Sequence, residues 1–195
     1  MRFCRTIMRW SLPPARQDSV AMPSIDSTAA SRHEIQHQAR HSQRLSRRTP
    51  NPLAYGRGHL DYIDELNRVG RDANPFFKLM GIELGEFGDG CASLTMEVRP
   101  DMLNGAGWLQ GGVYVALADE AIALALYTLL SKDEKIATID EHTSFIKGVN
   151  TGTIAATGRV IRKGRRVAFA DGEVRNAADD TLLTRTSTSF AVIKN

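Results

Sequence analysis

Hydrophobic positions divide the chain into a front part with no sustained period and a back part with two. From residue 1 to about 57 apolar residues recur at no fixed interval. Beyond Asp61 they do: Tyr62, Leu66 and Val69 stand at helical spacing, which predicts a short helix. Asn74 followed by Pro75 reads as a capped helix start, with Phe76, Phe77, Leu79 and Met80 as its apolar body. Period two then takes over. Residues 82–87 and 91–98 flank a Gly-Asp-Gly turn, and Ala92, Leu94, Met96 and Val98 alternate with polar residues as a half-buried hairpin arm does.

After a loop over residues 99–110 comes a long apolar run that predicts a helix beginning at Gly111 or Gly112 and ending near Leu130. A helix apolar all round must be buried all round. Its length nears that of a membrane span, but Asp119 and Glu120 stand at its middle. Each would cost roughly 2.5–3.5 kcal/mol there, so the run reads as a buried helix of a soluble domain, with no membrane partner. Three or four strands close the chain, over residues 137–147, 153–162, 167–175 and 181–193, with Gly152, Gly164 and residues 176–180 at the turns. The order implies an α+β fold: an antiparallel sheet of five to six strands wrapped around one long buried helix.

Composition changes this picture mainly at the front. The net charge of +3 conceals an asymmetry: residues 1–57 hold ten Arg and three acids, a net of +7, and the remainder fifteen basic and nineteen acidic residues, a net of −4. The folded part offers no basic face with interleaved aromatics, so no nucleic-acid partner is expected. Arg2, Arg5, Arg9 and Arg16, with no acid before Asp18, have the composition of an organelle transit peptide; a disordered tail, or a start at Met22, accounts for the same residues. The expected organisation is a disordered or targeting leader over residues 1–60 and one domain over 61–195. His33-Glu34-Ile35-Gln36-His37 formally matches the H-E-x-x-H zinc pattern, but no apolar face accompanies it and no metal is expected. Cys4 and Cys91 fall on either side of the boundary, so no structural disulfide is expected. The expected compartment is a reducing one: the cytoplasm, or the mitochondrial matrix if the leader is a transit peptide.

The two acids of the helix carry the chemical question, because a carboxylate in apolar surroundings is costly unless paired or solvated. They lie about 100° apart around the helix. Hydrogen bonding to a neighbouring loop is one account of such an acid; retention for chemistry is the other. The preceding residues, Asn104-Gly-Ala-Gly107-Trp-Leu-Gln110-Gly111-Gly112, favour chemistry. Glycines at a helix start let a ligand approach the unpaired N–H groups and the positive end of the dipole, donors suited to a thioester oxygen that becomes an oxyanion. Gly111 and Asp119 are eight residues apart, about 12 Å along one helix. Both must approach one reacting group, which points to two copies of the chain sharing each site.

These residues resemble a known family. Asn104-x-x-Gly107-x-x-Gln110-Gly111-Gly112, followed by Leu117-Ala118-Asp119, is similar to the N-x-x-G-x-x-H-G-G and L-A-D signature of hotdog-fold thioesterases of the phenylacetate-pathway type. Ala137-Thr138-Ile139-Asp140, Phe145-Ile-Lys-Gly-Val149, Gly152 and Gly164-Arg165-Arg166 resemble its later motifs, so that the likeness runs from about Asn74 to Val192. The resemblance implies an acyl-CoA thioesterase with no cofactor, working as a homodimer or homotetramer. It would make Asp119 the general base or nucleophile, Gly111 N–H the oxyanion donor, Asn104 a group near the thioester carbonyl, and Thr138 a positioner of water. Gln110 departs from the usual His: its amide donates a hydrogen bond but does not titrate near neutral pH. Arg165, Arg166 and Lys147 are candidates to hold the CoA phosphates. Two other readings remain: an acyl-CoA-binding hotdog protein without turnover, which Gln110 would fit, and a hotdog hydratase or dehydratase, for which His142 would be the candidate His.

Overall fold

A computed structural model describes residues 59–194. The leader and its H-E-x-x-H stretch, with the compartment and start-site readings drawn from them, lie outside the described residues. The elements are α1 (His59–Val69), a 3-10 turn (Gly70–Ala73), α2 (Pro75–Met80), β1 (Ile82–Gly88), β2 (Cys91–Glu97), α3 (Gly111–Tyr127), β3 (Glu134–Phe145), β4 (Thr153–Lys163), β5 (Val167–Asn176) and β6 (Leu182–Lys194). Asn74 caps α2 as expected, its Oδ1 accepting from Phe76 N at 2.9 Å, and Gly81 ends the helix at φ 72°. Asp89 and Gly90, both at positive φ, close the β1–β2 hairpin. Cys91, at the start of β2, is disulfide-bonded, against the expectation of separate thiols.

One antiparallel sheet runs β1-β2-β4-β5-β6-β3. The last three strands meander as the sequence implied, but β3 leaves α3 and crosses to the far edge, where among the described residues it pairs with β6 alone. It also starts three residues before the expected Ala137. Glu134 is a buried anchor there, its Oε2 2.7 Å from Lys163 Nζ and 3.0 Å from Ser131 N. These partners, Lys163 first, hold the carboxyl down at about 2.

The sheet wraps α3, which packs chiefly on β4 with β2 and β5 beside it. Leu117, Ala118, Ala121, Ile122, Ala125 and Leu126 are fully buried against Leu94, Ile154, Val174 and Phe190. Each large side chain contributes about 1.5–3 kcal/mol by leaving water. Helix and strand meet backbone to backbone at Gly158, where an added Cβ would lie 2.3 Å from the Ala121 carbonyl oxygen. Burial is not complete on every side, as the apolar run alone suggested. Gly112, Val115, Ala116, Asp119 and Ala123, one stripe at helical spacing, stay partly open.

On a neighbouring side of α3 the first two helices close over Glu120. Asn74 Nδ2 lies 2.9 Å from Tyr62 Oη and 3.5 Å from Glu120 Oε2, and the Tyr62 ring meets Tyr127 edge-on at 5.7 Å. Burial first, then the charge of Asp119, push Glu120 up to about 7, with the Asn74 hydrogen bond pulling the other way.

Two stability measurements follow from this packing. Gly158→Ala should destabilise the domain by about 3 kcal/mol in urea unfolding, because the three nearest opposing atoms all belong to backbone, whereas Gly105→Ala, with open space around it, should stay within about 0.5 kcal/mol. Glu120 keeps its proton when folded at pH values where an unfolded Glu, near 4.5, has lost it. Stability should therefore fall as pH rises from about 4.5 to 7, and Glu120→Gln should flatten that fall. A parent stability rising across this window would contradict the assignment.

Candidate active site

Asp119 occupies the open stripe of α3, half-buried, and its Oδ1 is shut off from solvent without a hydrogen-bond partner. Burial raises the carboxyl above its usual range. Such an acid is prepared to accept a proton from a water or hydroxyl brought to it. Glu120, by contrast, is engaged by Asn74 and the tyrosines.

The helix start is built by its loop. Asn104 Oδ1 accepts from Ala106 N at 2.9 Å and Trp108 N at 3.2 Å, while Gly107 sits at φ 79° and donates to Asn104 O. Leu109 N donates to Val149 O, and Tyr114 Oη receives Val149 N at 3.0 Å, so the loop is pinned to the segment after β3. The Trp108 ring lies against Gly148, within 3.3 Å of where a Cβ would stand. Asn104 thus spends its carbonyl oxygen on the loop and keeps its Nδ2 group as the donor. Gln110 is the N-cap residue but makes no side-chain cap bond, leaving the first-turn N–H groups of Gly111 and Gly112 without a side-chain acceptor from that position. Gln110 and Val113 also line an open cavity of about 340 Å³ shared with Leu79, Met80, Arg99 and Met102.

Thr138 lies on the inner face of β3, paired with the buried Phe190. Directly after it the register shifts, so that Asp140 pairs with Ser189 and Glu141 with Thr188. Simple alternation from Ile136 and Thr138 would turn Asp140 and His142 inward; the extra residue, Ile139, turns Glu141 and Thr143 inward instead. Glu141 is the residue that sequence reasoning missed, and the bulge is why. Burial, followed by the charge of Asp119, pushes it up to about 7, while a hydrogen bond with Thr143 lowers it. His142 sits exposed on the outer face beside Ser187. The hydratase reading thereby loses its histidine.

Within one chain the predicted residues form two groups. Asp119 and Thr138 belong to one: the charge of Asp119 acts on Glu141, the unpredicted residue, and Thr138 shares the inner face of β3 with it. The Gly111 end of the helix lies under the ring of Phe145, 3.4 Å from an added Cβ, at the other end of β3. The predicted phosphate ligands are divided too. Lys147 follows β3 and affects Asp179, whereas Arg165 and Arg166 stand in the β4–β5 turn, where Arg166 O accepts from Val192 N at 2.8 Å. The length of β3 separates them, roughly 35 Å at the usual rise. Among the described residues no cluster suited to a metal ion occurs, and no helix is long and apolar enough to cross a membrane.

Comparison with known proteins converges on this arrangement. The thioesterase superfamily model matches residues 106–183, from the glycine loop to β6. The acyl-coenzyme A thioesterase PaaI of Escherichia coli is 33% identical over 107 residues, spanning 54% of this chain and 74% of that protein. A thioesterase structure from Haemophilus influenzae superposes with a TM-score of 0.58 at 26% identity, over 62% of this chain and 84% of the other. The phenylacetic acid degradation protein PaaI of Thermus thermophilus, a mutant form, superposes with a TM-score of 0.56 at 25% identity, over 60% and 97%. With six strands around one helix and the signature loop seated at its start, the chain belongs to the hotdog-fold thioesterase superfamily, in its PaaI type.

Proposed function

We propose that the protein hydrolyses acyl-CoA thioesters with a water activated by Asp119, in a site that two copies of the chain complete together. The observation that carries this reading is the shielded, unpartnered Oδ1 of Asp119 within an otherwise apolar open stripe. Burial raises its basicity, and the water it deprotonates adds to the thioester carbonyl. The oxyanion is received by the N–H of Gly111, with Asn104 Nδ2 beside the carbonyl and Thr138 steadying the water. Collapse expels the CoA thiolate, which takes back the proton. Gln110 keeps a donor where the family has His.

A second copy supplies what one chain lacks. β3 is an edge strand whose positions from Lys135 to Asp140 are mostly exposed, with Ile139 at 59% and Phe145 at 59%. An open edge of this kind invites pairing with its own symmetry mate. Antiparallel pairing of two β3 strands would lay the Gly111 end of one copy beside the Asp119 of the other. The same pairing would bring Lys147 of one copy toward Arg165 and Arg166 of its mate, a cationic site for the CoA phosphates assembled from both. The pairing accounts for a homodimer, with a homotetramer as a further assembly of dimers.

Asp119→Asn should lower kcat by roughly 10² to 10⁴ in a thiol-release assay over short, long and aromatic acyl-CoAs, with calorimetric CoA binding retained. Undiminished turnover would remove Asp119 from its role, and CoA binding by the parent without any turnover would leave a binding protein instead. Mixed oligomers of Asp119→Asn and Asn104→Ala chains test the sharing: random pairing restores one intact site per mixed dimer, about a quarter of parental activity. If the mixture stays as inactive as its components, each site belongs to one chain.

A further inference from the structure

The bulge in β3 sets a second carboxyl beside the proposed base. Simple alternation would leave position 141 on the outer face, and the extra residue turns it inward, opposite Thr188 of β6. Glu141 is half-buried there, and its Oε1 is shut off from solvent without a hydrogen-bond partner. Thr143, on the same face, hydrogen-bonds Glu141 and stands 2.8 Å from Thr186, Oγ1 to Oγ1, so the carboxyl is steadied from its own strand. The charged group that acts on Glu141 is Asp119 of α3, while β6 presents the hydroxyls of Thr186 and Thr188. Asp119 Oδ1 is buried and unpartnered too, so the two acids feel each other's charge without bonding through these oxygens. Their ionisation is ordered: burial raises Asp119, whereas burial and then the charge of Asp119 hold the proton on Glu141 up to about 7. Neighbouring carboxyls kept in opposite protonation states are equipped for opposite tasks, one to take a proton and one to give it.

We propose that Glu141 is a further catalytic residue, the general acid that protonates the sulfur of the departing CoA while Asp119 serves the water. The inference rests on the thioesterase reading above. There Gly111 and Asn104 are committed to the carbonyl oxygen, and Asp119 and Thr138 to the water. The sulfur is the one atom that gains charge with no group assigned to it. Water gives one proton to Asp119 as its oxygen bonds to the carbonyl carbon. Collapse then breaks the C–S bond, and the sulfur takes that electron pair and the proton of Glu141. Asp119 passes the proton it took from water to the Glu141 carboxylate, so the proton that the thiolate takes back travels through Glu141. One water is consumed, acid and thiol are released, and both carboxyls return to their first states. A bare thiolate formed in a desolvated site is costly, and protonation as the bond breaks removes that cost.

The test varies the leaving group in the full-length parent, Glu141→Gln and Glu141→Asp. Octanoyl-CoA and benzoyl-CoA, whose alkyl thiol leaves poorly, are compared with the S-4-nitrophenyl thioesters of the same acids, whose thiolate departs without a proton. Glu141→Gln should lower kcat on the CoA thioesters by about 10² and keep the aryl thioesters near the parental rate. Glu141→Asp, which retains an acid, should recover part of the loss. In the parent, kcat/KM for the CoA thioesters should fall as pH rises through about 7, where Glu141 loses the proton it must give, and Glu141→Gln should lack this falling limb. The limb is read on the parent alone, so a parental rate that stays level or climbs above pH 7 overturns the inference without any variant. Equal losses on CoA and aryl thioesters also overturn it, since they mark a structural role. An active parent beside an equally active Glu141→Gln removes Glu141 and leaves the thioesterase reading standing. A parent inactive on all four thioesters removes that reading and the inference with it.

Discussion

The rest of this domain depends on the backbone-to-backbone approach of α3 to β4 at Gly158. The helix held there carries Asp119, whose Oδ1 is buried without a hydrogen-bond partner among the described residues. The buried alanines of α3 make the close approach practicable, and the large residues of β2, β4 and β5 supply the free energy that keeps it. The helix is both the core of the fold and the carrier of the proposed base. Stability and the proposed chemistry therefore draw on the same seventeen residues.

Much of this was legible in the sequence because local signals were strong. The Asn74-Pro75 start, the Gly-Asp-Gly hairpin and the alternation along β6 each follow from one-dimensional rules, and each stands where those rules put it. Asp119 was conspicuous as a charge in an apolar run, and the glycine loop as a helix start of unusual composition. What could not be read are features that depend on distant neighbours. Glu134 looks like a loop acid until Lys163 is folded onto it. The crossing of β3 to the far edge has no local cause, and complete burial of α3 was inferred from a pattern that a partly open stripe satisfies equally well. Glu120 closes a contact among three elements that no local pattern announces.

Two kinds of acid thus coexist on one helix. One is held by hydrogen bonding to Asn74 and serves the packing of the domain; the other stands on the partly open stripe of the helix. Their adjacent positions in sequence separate them by a third of a turn, enough to place them in different environments. The helix N-terminus, the edge strand and the divided cations all accord with the proposed pairing of two copies.

The bulge at Ile139 carries a consequence for how such domains diversify. Because strand side chains alternate, one surplus residue exchanges the whole set that lines the interior beyond it, with no change in composition. A straight strand that kept this residue, pairing Ile139 with Ser189, would put Asp140, His142 and Ser144 inside and turn Glu141, Thr143 and Phe145 out, whereas excising Ile139 would remove the bulge and keep the present lining. The chemical character of this half of the inner face is therefore a matter of register as much as of residue identity.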